Sequence, residues 1–281
     1  MPTRLVNLEG RAQLLIDGRC VDVQKRSAGA HGTDPMDALQ NWAAFCDWAQ
    51  QQRSTPEDPV VAPERLGPPV PAPRQIFGVG LNYRDHAEEA GIAIPAEPMI
   101  FTKFPSCIAG PHTDIPLTGN RVDWEVELVV VIGRGGRGIV EERALEHVAG
   151  FTVGQDISDR RRQFGDNPPQ FSLGKSSAAF GPIGPAVTTL DALEDPNDLR
   201  LTCAINGESM QDGRTSDMIF GVSQLVAYLS RYCELWPGDL IFTGTPSGVG
   251  SVRDRRRYLA AGDRIESEIE GLGRLDNRCV E

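Results

Sequence analysis

The sequence predicts an α+β fold that is rich in β-strands, with a main domain preceded by a small α/β module. Three observations support this prediction. Short apolar runs alternate with Asn-Gly, Pro-Gly and Gly-Asp dipeptides, which are typical of hairpins and turns. No second βαβ unit follows the first candidate along the chain. A proline-rich stretch divides the chain into a module at 1–53, a linker at 54–74 and a main domain at 75–281.

Composition excludes several classes of partner. The 281-residue chain has a net charge of −11 and a pI near 4.9, which disfavours a nucleic-acid groove or an anionic membrane surface. Its six cysteines are scattered without a Cys-x-x-Cys pair, as expected of reduced thiols rather than disulfides or a zinc site. Neither a signal peptide nor a membrane-spanning run is evident, so we expect a soluble, cytoplasmic protein.

The first module combines a hairpin and a helix. Asp17-Gly18 predicts the hairpin turn. Asp34-Pro35 predicts a helix start, and apolar residues follow it at helical spacing as far as Ala49. Residues 54–74 contain seven of the 21 prolines, which predicts an extended segment that packs neither as helix nor as sheet.

The main domain opens with a strand at Ile76–Gly80, a short helix that ends at Gly91, and a strand at Met99–Lys103. On that helix His86 and Glu89 would lie one turn apart on the same face, as an acid/base dyad requires. The alternative is an ordinary pair on a surface helix.

The run from Asp123 to Gly133 reads as a buried strand. Glu125 and Glu127 must point to the same side of it, about 7 Å apart. Like charges on an apolar strand require a positive partner, and a divalent metal ion is the simplest one. An edge strand with a wet polar face is the alternative.

Residues 133–138 match the G-x-G-x-x-G dinucleotide fingerprint, and a strand at 150–155 then ends at Asp156. We reject this interpretation because Glu125 and Glu127 lie where a parallel central strand should be apolar, and because the helix at about 141–149 is short for a crossover. A glycine-rich hairpin turn is the better reading, with an NAD(H)-binding protein as a distant alternative.

Downstream, Asn206-Gly207 predicts a hairpin, and Ser216 or Asp217 can cap a helix with an apolar stripe. The strand Leu240–Phe242 leads into the loop 243–250. This loop is rich in glycine and hydroxyls, so it either presents donors to an anion or serves as a turn.

Several motifs in one order make the main domain specific. They are Gly80-Leu81-Asn82-Tyr83-x-x-His86, Asp123-Trp124-Glu125-Val126-Glu127-Leu128, Gly154-Gln155-Asp156-Ile157-Ser158-x-Arg160, Gly174-Lys175-Ser176, Asn206-Gly207-Glu208 and Thr243-Gly244-Thr245-Pro246-x-Gly248-Val249. Together they resemble the fumarylacetoacetate hydrolase family over roughly residues 74–280. The resemblance implies a mixed, rolled β-sandwich, a homodimer, and activity on 2-oxo acids or acylpyruvates.

The resemblance also implies roles for individual residues. The metal-binding carboxylates would be Glu125, Glu127 and Asp156, with Lys175 beside the metal. The catalytic pair would be His86 and Glu89. The substrate-binding residues would be Gln163, Thr245, Tyr83 and Arg160. Gln155 departs from the family pattern, because many members have Asn before the metal-binding Asp.

Carboxylate oxygens suit Mg²⁺ or Mn²⁺, with Ca²⁺ as a substitute in a crystal. The implied reaction is hydrolysis of a C–C bond in an acylpyruvate or diketo acid through a metal-stabilised enolate. In it, His86 with Glu89 activates water, while Thr245 and Lys175 stabilise the developing charge. Oxaloacetate decarboxylation, 2-hydroxymuconate-type isomerisation and 2-oxo-acid dehydration are alternatives at the same site.

Overall fold

The computed structural model describes residues 2–165 and 167–281, and over these residues more of the chain lies in strands than in helices. The strands are β1 (Arg4–Leu8), β2 (Arg11–Ile16), β3 (Arg19–Asp22), β4 (Leu66–Gly67), β5 (Ile76–Gly80), β6 (Met99–Thr102), β7 (Ile108–Ala109), β8 (Ile115–Pro116), β9 (Val122–Asp123), β10 (Val126–Ile132), β11 (Val148–Gln155), β12 (Ser158–Asp159), β13 (Gly181–Thr188), β14 (Arg200–Ile205), β15 (Glu208–Arg214), β16 (Leu240–Phe242), β17 (Arg264–Ile269) and β18 (Gly273–Val280).

Helices are short and lie between the strands. The α-helices are α1 (Val23–Arg26), α2 (Pro35–Gln40), α3 (Trp42–Ala49), α4 (Arg84–Glu89), α5 (Arg160–Phe164), α6 (Phe171–Gly174) and α7 (Val222–Tyr232). Additional 3₁₀ turns cover Pro63–Arg65, Pro105–Cys107, Glu141–His147, Leu190–Ala192 and Thr215–Asp217. Among the described residues, none of these helices combines the length and the apolar character needed to traverse a bilayer.

Two mixed sheets carry the fold. The main sheet has 11 strands, in the order β3-β2-β1-β13-β11-β10-β16-β5-β6, with β4 beside β1 and β7 beside β13. The second sheet runs β15-β14-β17-β18-β8, and β9 pairs separately with β12. The β5–β16 pair is parallel while the β10–β11 pair is antiparallel. This arrangement confirms the predicted α+β, β-rich class.

Strand β10 lies at the centre of the fold, with an apolar core on each of its faces. Leu128 and Val130 belong to the core shared with the second sheet. Val129 and Val131 belong to a separate core that α2 and α3 cover. Burial on both faces explains why this strand is apolar at nearly every position rather than at alternate ones.

The N-terminal strands extend the main sheet, since β1 pairs with β13. The hairpin predicted at Asp17-Gly18 joins β2 to β3 and is confirmed. The prediction that 54–74 forms neither helix nor sheet is wrong, because Pro63–Arg65 makes a 3₁₀ turn and β4 pairs with β1. Proline is tolerated in the first turn of a helix, and β4 itself contains none. The division into a module and a main domain stays a prediction.

Two helices differ from their predicted bounds. The N-terminal helix is split at Asn41 into α2 and α3, although Asp34 caps it as predicted. Helix α7 begins after Gly221 rather than at Ser216 or Asp217, which lie in a 3₁₀ turn. The antiparallel β10–β11 pair rules out a βαβ unit at the glycine-rich segment, and that segment leads into a 3₁₀ turn before β11 begins.

Candidate active site

The acidic site forms at a break in the central strand. The strand predicted at 123–133 is interrupted at Trp124 and Glu125, between β9 and β10. Two side-chain amides replace the ladder there: the Glu125 N–H donates to Gln155 Oε1 at 2.9 Å, and the Val126 N–H donates to Gln211 Oε1 at 3.0 Å. Gln155 also donates to Ser267 Oγ of the second sheet, at 2.9 Å. Gln155 has a longer side chain than the Asn found there in many family members, and it connects the acidic site to both sheets.

The break brings three carboxylates together. Glu125, Glu127 and Asp156 each offer an oxygen, and these oxygens all lie within 4.8 Å of one another. All three residues are buried, with exposures of 7%, 1% and 0%. Burial rules out the alternative of an edge strand with a wet face. Three buried carboxylates are an oxygen-only donor set of the kind that hard divalent cations prefer, so the residues fit such an ion.

Lys175 lies against this acid triad. It follows directly after α6, and its Nζ donates to Glu125 Oε2 at 2.8 Å, to Asp156 Oδ2 at 2.7 Å and to Ser158 Oγ at 2.8 Å. All three ammonium protons therefore have acceptors. The predicted position of Lys175 beside the carboxylates agrees with this geometry, and its catalytic role stays a prediction.

Arg160 holds Glu125 from the other side. Its Nε donates to Asp123 Oδ2 at 2.8 Å and its Nη2 to Glu125 Oε1 at 2.6 Å. Its Nη1 donates to Gln163 Oε1 at 2.9 Å. Because three nitrogens already have protein acceptors, the geometry makes Arg160 a support for Glu125 and Gln163; its predicted contact with substrate is untested.

These cations act unequally on the two glutamates. Burial alone would raise the pKa of Glu125, but Lys175 and Arg160 outweigh it and lower that pKa to about 2. Burial, with Asp156 and Glu125 nearby, raises the pKa of Glu127 well above its ordinary value. Of these two glutamates, Glu127 is thus the one whose ionised form the protein itself stabilises less, as would be expected of a metal-binding carboxylate before the ion binds.

Lys103 is a site residue that the sequence patterns did not reveal. Its fully buried Nζ donates to Asp156 Oδ1 at 2.6 Å, to Phe180 O at 3.1 Å and to Lys175 O. Asp156 therefore receives one lysine on each oxygen. A signal existed, because the chain has three lysines and one of them, Lys103, follows directly after an apolar strand.

Lys103→Met is expected to lower the free energy of unfolding by about 3–5 kcal/mol, since it leaves Asp156 Oδ1 and Lys175 O without their donor, whereas Phe180 O keeps the Ile157 N–H. Urea unfolding of the metal-free protein measures this. Lys25→Met, at the exposed lysine, is the matched control and should change stability by less than about 0.5 kcal/mol. Equal effects of the two variants would contradict the structural role of Lys103.

Helix α4 carries the predicted dyad to the same place. His86 Nδ1 lies 3.4 Å from Glu89 Oε2, a long contact for a hydrogen bond. Glu89 also accepts the Gly248 N–H at 3.0 Å. Asp85 accepts from the N–H and hydroxyl of Ser247, at 3.1 and 2.7 Å. Two acidic side chains thus fasten the helix to the loop 243–250.

The loop 243–250 does present donors to anions, but the anions observed are the protein's own carboxylates. Gly244 N–H donates to Glu127 Oε2 and Gly250 N–H to Asp123 Oδ1, both at 2.8 Å. The Thr245 hydroxyl donates to Val126 O at 2.8 Å and accepts from Gln211 Nε2 at 2.7 Å. Its single proton is therefore engaged, and its predicted role as an oxyanion donor would require this bond to be exchanged.

A pocket of about 300 Å³ opens in front of the triad. Its polar lining comprises His86, Glu125, Glu127, Arg160, Gln163, Lys175, Thr245 and Ser251. Tyr83, predicted to bind substrate, is not part of the lining; its side chain is fully buried, and its hydroxyl has no hydrogen-bond partner among the described residues. Glu89 and Asp156 stand behind the lining, each in contact with a residue that forms it.

Comparison with known proteins agrees with this geometry. The model of the fumarylacetoacetate (FAA) hydrolase C-terminal region matches residues 75–280. The bovine (Bos taurus) mitochondrial oxaloacetate tautomerase FAHD2A is 46% identical over 214 residues, which cover 75% of this chain and 68% of the relative.

Two crystal structures extend the comparison. An HpcE-type protein from Mycobacterium smegmatis is 53% identical, has a TM-score of 0.93, and the match covers 99% of both chains. The fumarylpyruvate hydrolase from Pseudomonas aeruginosa, in complex with Mn²⁺ and pyruvate, is 35% identical with a TM-score of 0.67 over 74% of this chain and 90% of that one. The chain therefore belongs to the fumarylacetoacetate hydrolase family.

Proposed function

We propose that the protein is a Mg²⁺- or Mn²⁺-dependent enzyme that hydrolyses a C–C bond of an acylpyruvate or related diketo acid. The observation that carries this proposal is the presence, around one pocket, of a buried acid triad and a histidine–carboxylate pair. Glu125, Glu127 and Asp156 would hold the ion, as their oxygen-only set suggests. A bound ion would polarise the 2-oxo group of the substrate as a Lewis acid.

Electrostatic balance supports an anionic substrate. When all four are ionised, as a bound metal would require of Glu127, Asp123 and the triad supply four negative charges, and Lys103, Lys175 and Arg160 supply three positive ones at hydrogen-bond distance. A divalent cation would turn this net −1 into +1, which favours a bound carboxylate. The side-chain oxygen of Gln163 accepts a hydrogen bond from Arg160, so its side-chain NH₂ is the group that can donate to a ligand.

We assign His86 to the substrate's distal carbonyl, because it lines the same pocket as Glu125 and Glu127. As general base it takes a proton from water, and the oxygen of that water bonds to the distal carbonyl carbon. The C–C bond to the pyruvate portion then breaks, its electron pair passes to the carbon beside the 2-oxo group, and that carbon takes up a proton. The products are a carboxylic acid and pyruvate. Glu89 orients the imidazole from behind.

Enol–keto tautomerisation of oxaloacetate is the second candidate, because the bovine relative carries that name at 46% identity. Tautomerisation would use His86 to move the proton in the same way, but it would not include the attack by water. Both candidates move a proton at the carbon next to a 2-oxo group.

Product analysis in H₂¹⁸O separates them. The protein is incubated with acetylpyruvate or enol-oxaloacetate in the presence of MgCl₂, MnCl₂ or EDTA. If the protein is a hydrolase, the acetate formed from acetylpyruvate should contain one ¹⁸O. No acetate should form when EDTA removes the metal. Faster loss of enol-oxaloacetate without C–C cleavage of acetylpyruvate would select tautomerisation. Equal rates with metal and with EDTA would overturn the metal-dependent proposal.

Metal binding should release protons and tighten as pH rises. The raised pKa keeps Glu127 protonated at pH values where an ordinary glutamate is ionised, and a metal ligand must be ionised. Calorimetric titration with Mn²⁺ in two buffers of different ionisation enthalpy, at pH 6.0 and 7.5, measures both effects. His86→Gln should retain the proton release, which assigns it to the carboxylate rather than the imidazole. An enthalpy independent of buffer would disprove the expectation.

A further inference from the structure

The pocket beside the acid triad has two chemically different halves. Its inner half contains the carboxylates with Lys175 and Arg160. The rest of the lining, which we call the outer half, is mostly apolar and comes from β5, β6, α5, α6, the turns after β5 and α4, and the loop after Thr245. The apolar lining residues are Val79, Leu81, Ala90, Ile92, Met99, Phe101, Phe164, Phe171, Val249 and Val252.

Three phenylalanines form a continuous aromatic wall from the inner half to the solvent. The Phe101 ring lies 5.0 Å from Lys175 Nζ, and its centroid is 6.0 Å from that of Phe171. Phe171 in turn lies 5.5 Å from Phe164, edge to face. Phe101 is 9% exposed whereas Phe164 is 57% exposed. The wall therefore leads from the triad outwards.

Glycines on β5 make room for this wall. Gly78 lies opposite Phe101, and Gly80 lies opposite Met99 in the β5–β6 register. A Cβ at Gly78 would overlap the Phe101 ring, and one at Gly80 would overlap the Met99 side chain. The Gly-Val-Gly sequence of β5 thus lets two apolar side chains fold over the strand and line the pocket.

The outer half offers no cation for a second carboxylate among the described lining residues. Lys175 Nζ has three acceptors in the protein. Each nitrogen of Arg160 donates to a protein acceptor. A substrate with a carboxylate at its far end would desolvate that charge against aromatic rings without a partner, which is unfavourable.

We propose that the outer half binds an apolar acyl group, so that the preferred substrates are acylpyruvates with an alkyl or aryl acyl chain rather than diacids. This inference rests on the proposed function and concerns the same site. The proposed preference for an apolar acyl group would distinguish this chain from the two relatives named for oxaloacetate and fumarylpyruvate. Each of those two compounds ends in a second carboxylate.

A substrate series tests the proposal in the Mn²⁺-loaded protein. The series contains acetyl-, butanoyl-, hexanoyl- and benzoylpyruvate, with fumarylpyruvate as the diacid. We expect kcat/KM to rise about fourfold per methylene added to the acyl chain, the factor that burial of one CH₂ supplies. A preference of tenfold or more for fumarylpyruvate over hexanoylpyruvate would overturn it.

A cation placed on the aromatic wall should reverse the preference. Phe164→Lys adds a charge at the exposed end of the wall, where folding does not depend on the ring. We expect the ratio of kcat/KM for fumarylpyruvate to that for hexanoylpyruvate to rise at least about tenfold. Phe104→Lys is the matched control, because Phe104 is similarly exposed, at 49%, and lies outside the pocket lining. An unchanged ratio in Phe164→Lys, or an equal change in both variants, would contradict the proposal.

Binding separates failure of this inference from failure of the proposed function. N-Alkyl oxamates carry the 2-oxo acid group but have no C–C bond of the acylpyruvate type. Their affinity for the Mn²⁺-loaded protein, measured by calorimetry, should rise with chain length even if none of the acylpyruvates is cleaved. Rising affinity without turnover would retain the apolar half and reject hydrolysis. Affinity that is flat or falls with chain length would reject the apolar half, whatever the turnover.

Discussion

Glu127→Gln should strongly weaken Mn²⁺ binding while leaving the metal-free protein as stable as the parent. A neutral amide closely resembles the protonated carboxyl that the raised pKa of Glu127 favours, and it can still accept the Gly244 N–H. The variant nevertheless loses one of the three carboxylates proposed to hold the ion. We expect Mn²⁺ affinity to fall at least about 100-fold, as measured by calorimetry, with turnover falling in parallel.

Glu125→Gln separates the metal-binding role from the structural one. This substitution removes a carboxylate that Lys175 and Arg160 both contact, at 2.8 and 2.6 Å. It should cost about 3 kcal/mol of stability in the metal-free state, which Glu127→Gln should not. Glu268→Gln, at an exposed position of β17, controls for loss of surface charge. Retention of Mn²⁺ affinity in Glu127→Gln would remove that residue from the metal site.

Sequence patterns predicted the parts of this site that follow from local periodicity. The i, i+2 spacing predicted that Glu125 and Glu127 face the same place, which they do although Glu125 lies in the break before β10, and the i, i+3 spacing placed His86 beside Glu89. The assignment of Asp156 and Lys175 to the same place came from motif resemblance, since strand alternation contains no information about which segments meet.

The missed features depend on contacts between segments distant in sequence. Lys103 meets Asp156 across 53 residues, and Gln211 replaces a ladder bond at Val126 across 85. The same limit applies to Thr245, which lines the pocket while its hydroxyl donates to Val126 O across 119 residues; its predicted contact with substrate stays a prediction. A hydroxyl in a glycine-rich loop has many available partners, and only the packed loop selects one.

The proline-rich stretch shows the same limit on the scale of the fold. Proline content predicts an extended backbone correctly, but it does not indicate whether that backbone is solvated or packed. Val70 is fully buried and belongs to the core that α2 and α3 cover. The sequence did contain a signal of this packing, because Val70 is an apolar residue between prolines. Whether Val70 is buried depends on the position of the main sheet, which β1 extends.

His86→Gln should lower kcat by about 10²–10⁴, the usual contribution of a positioned acid/base group, while Mn²⁺ affinity stays within about twofold of the parent. The imidazole lines the pocket but is not among the carboxylates that would hold the ion. Steady-state kinetics with acetylpyruvate, alongside Mn²⁺ titration, measures both quantities. Glu89→Gln should cost less, about tenfold, because the Gly248 N–H and the i, i+3 spacing still hold the side chain beside the imidazole.

The matched comparison is His147→Gln, since His147 is half-buried and contacts the Arg134 carbonyl rather than the pocket. It should leave both kinetics and metal affinity unchanged. A loss of turnover in His86→Gln with an equal loss of Mn²⁺ binding would make the histidine a support of the metal site. Near-normal kcat in His86→Gln would place the proton transfer on another group, and Lys175 would then be the nearest candidate, because it contacts two of the three carboxylates directly.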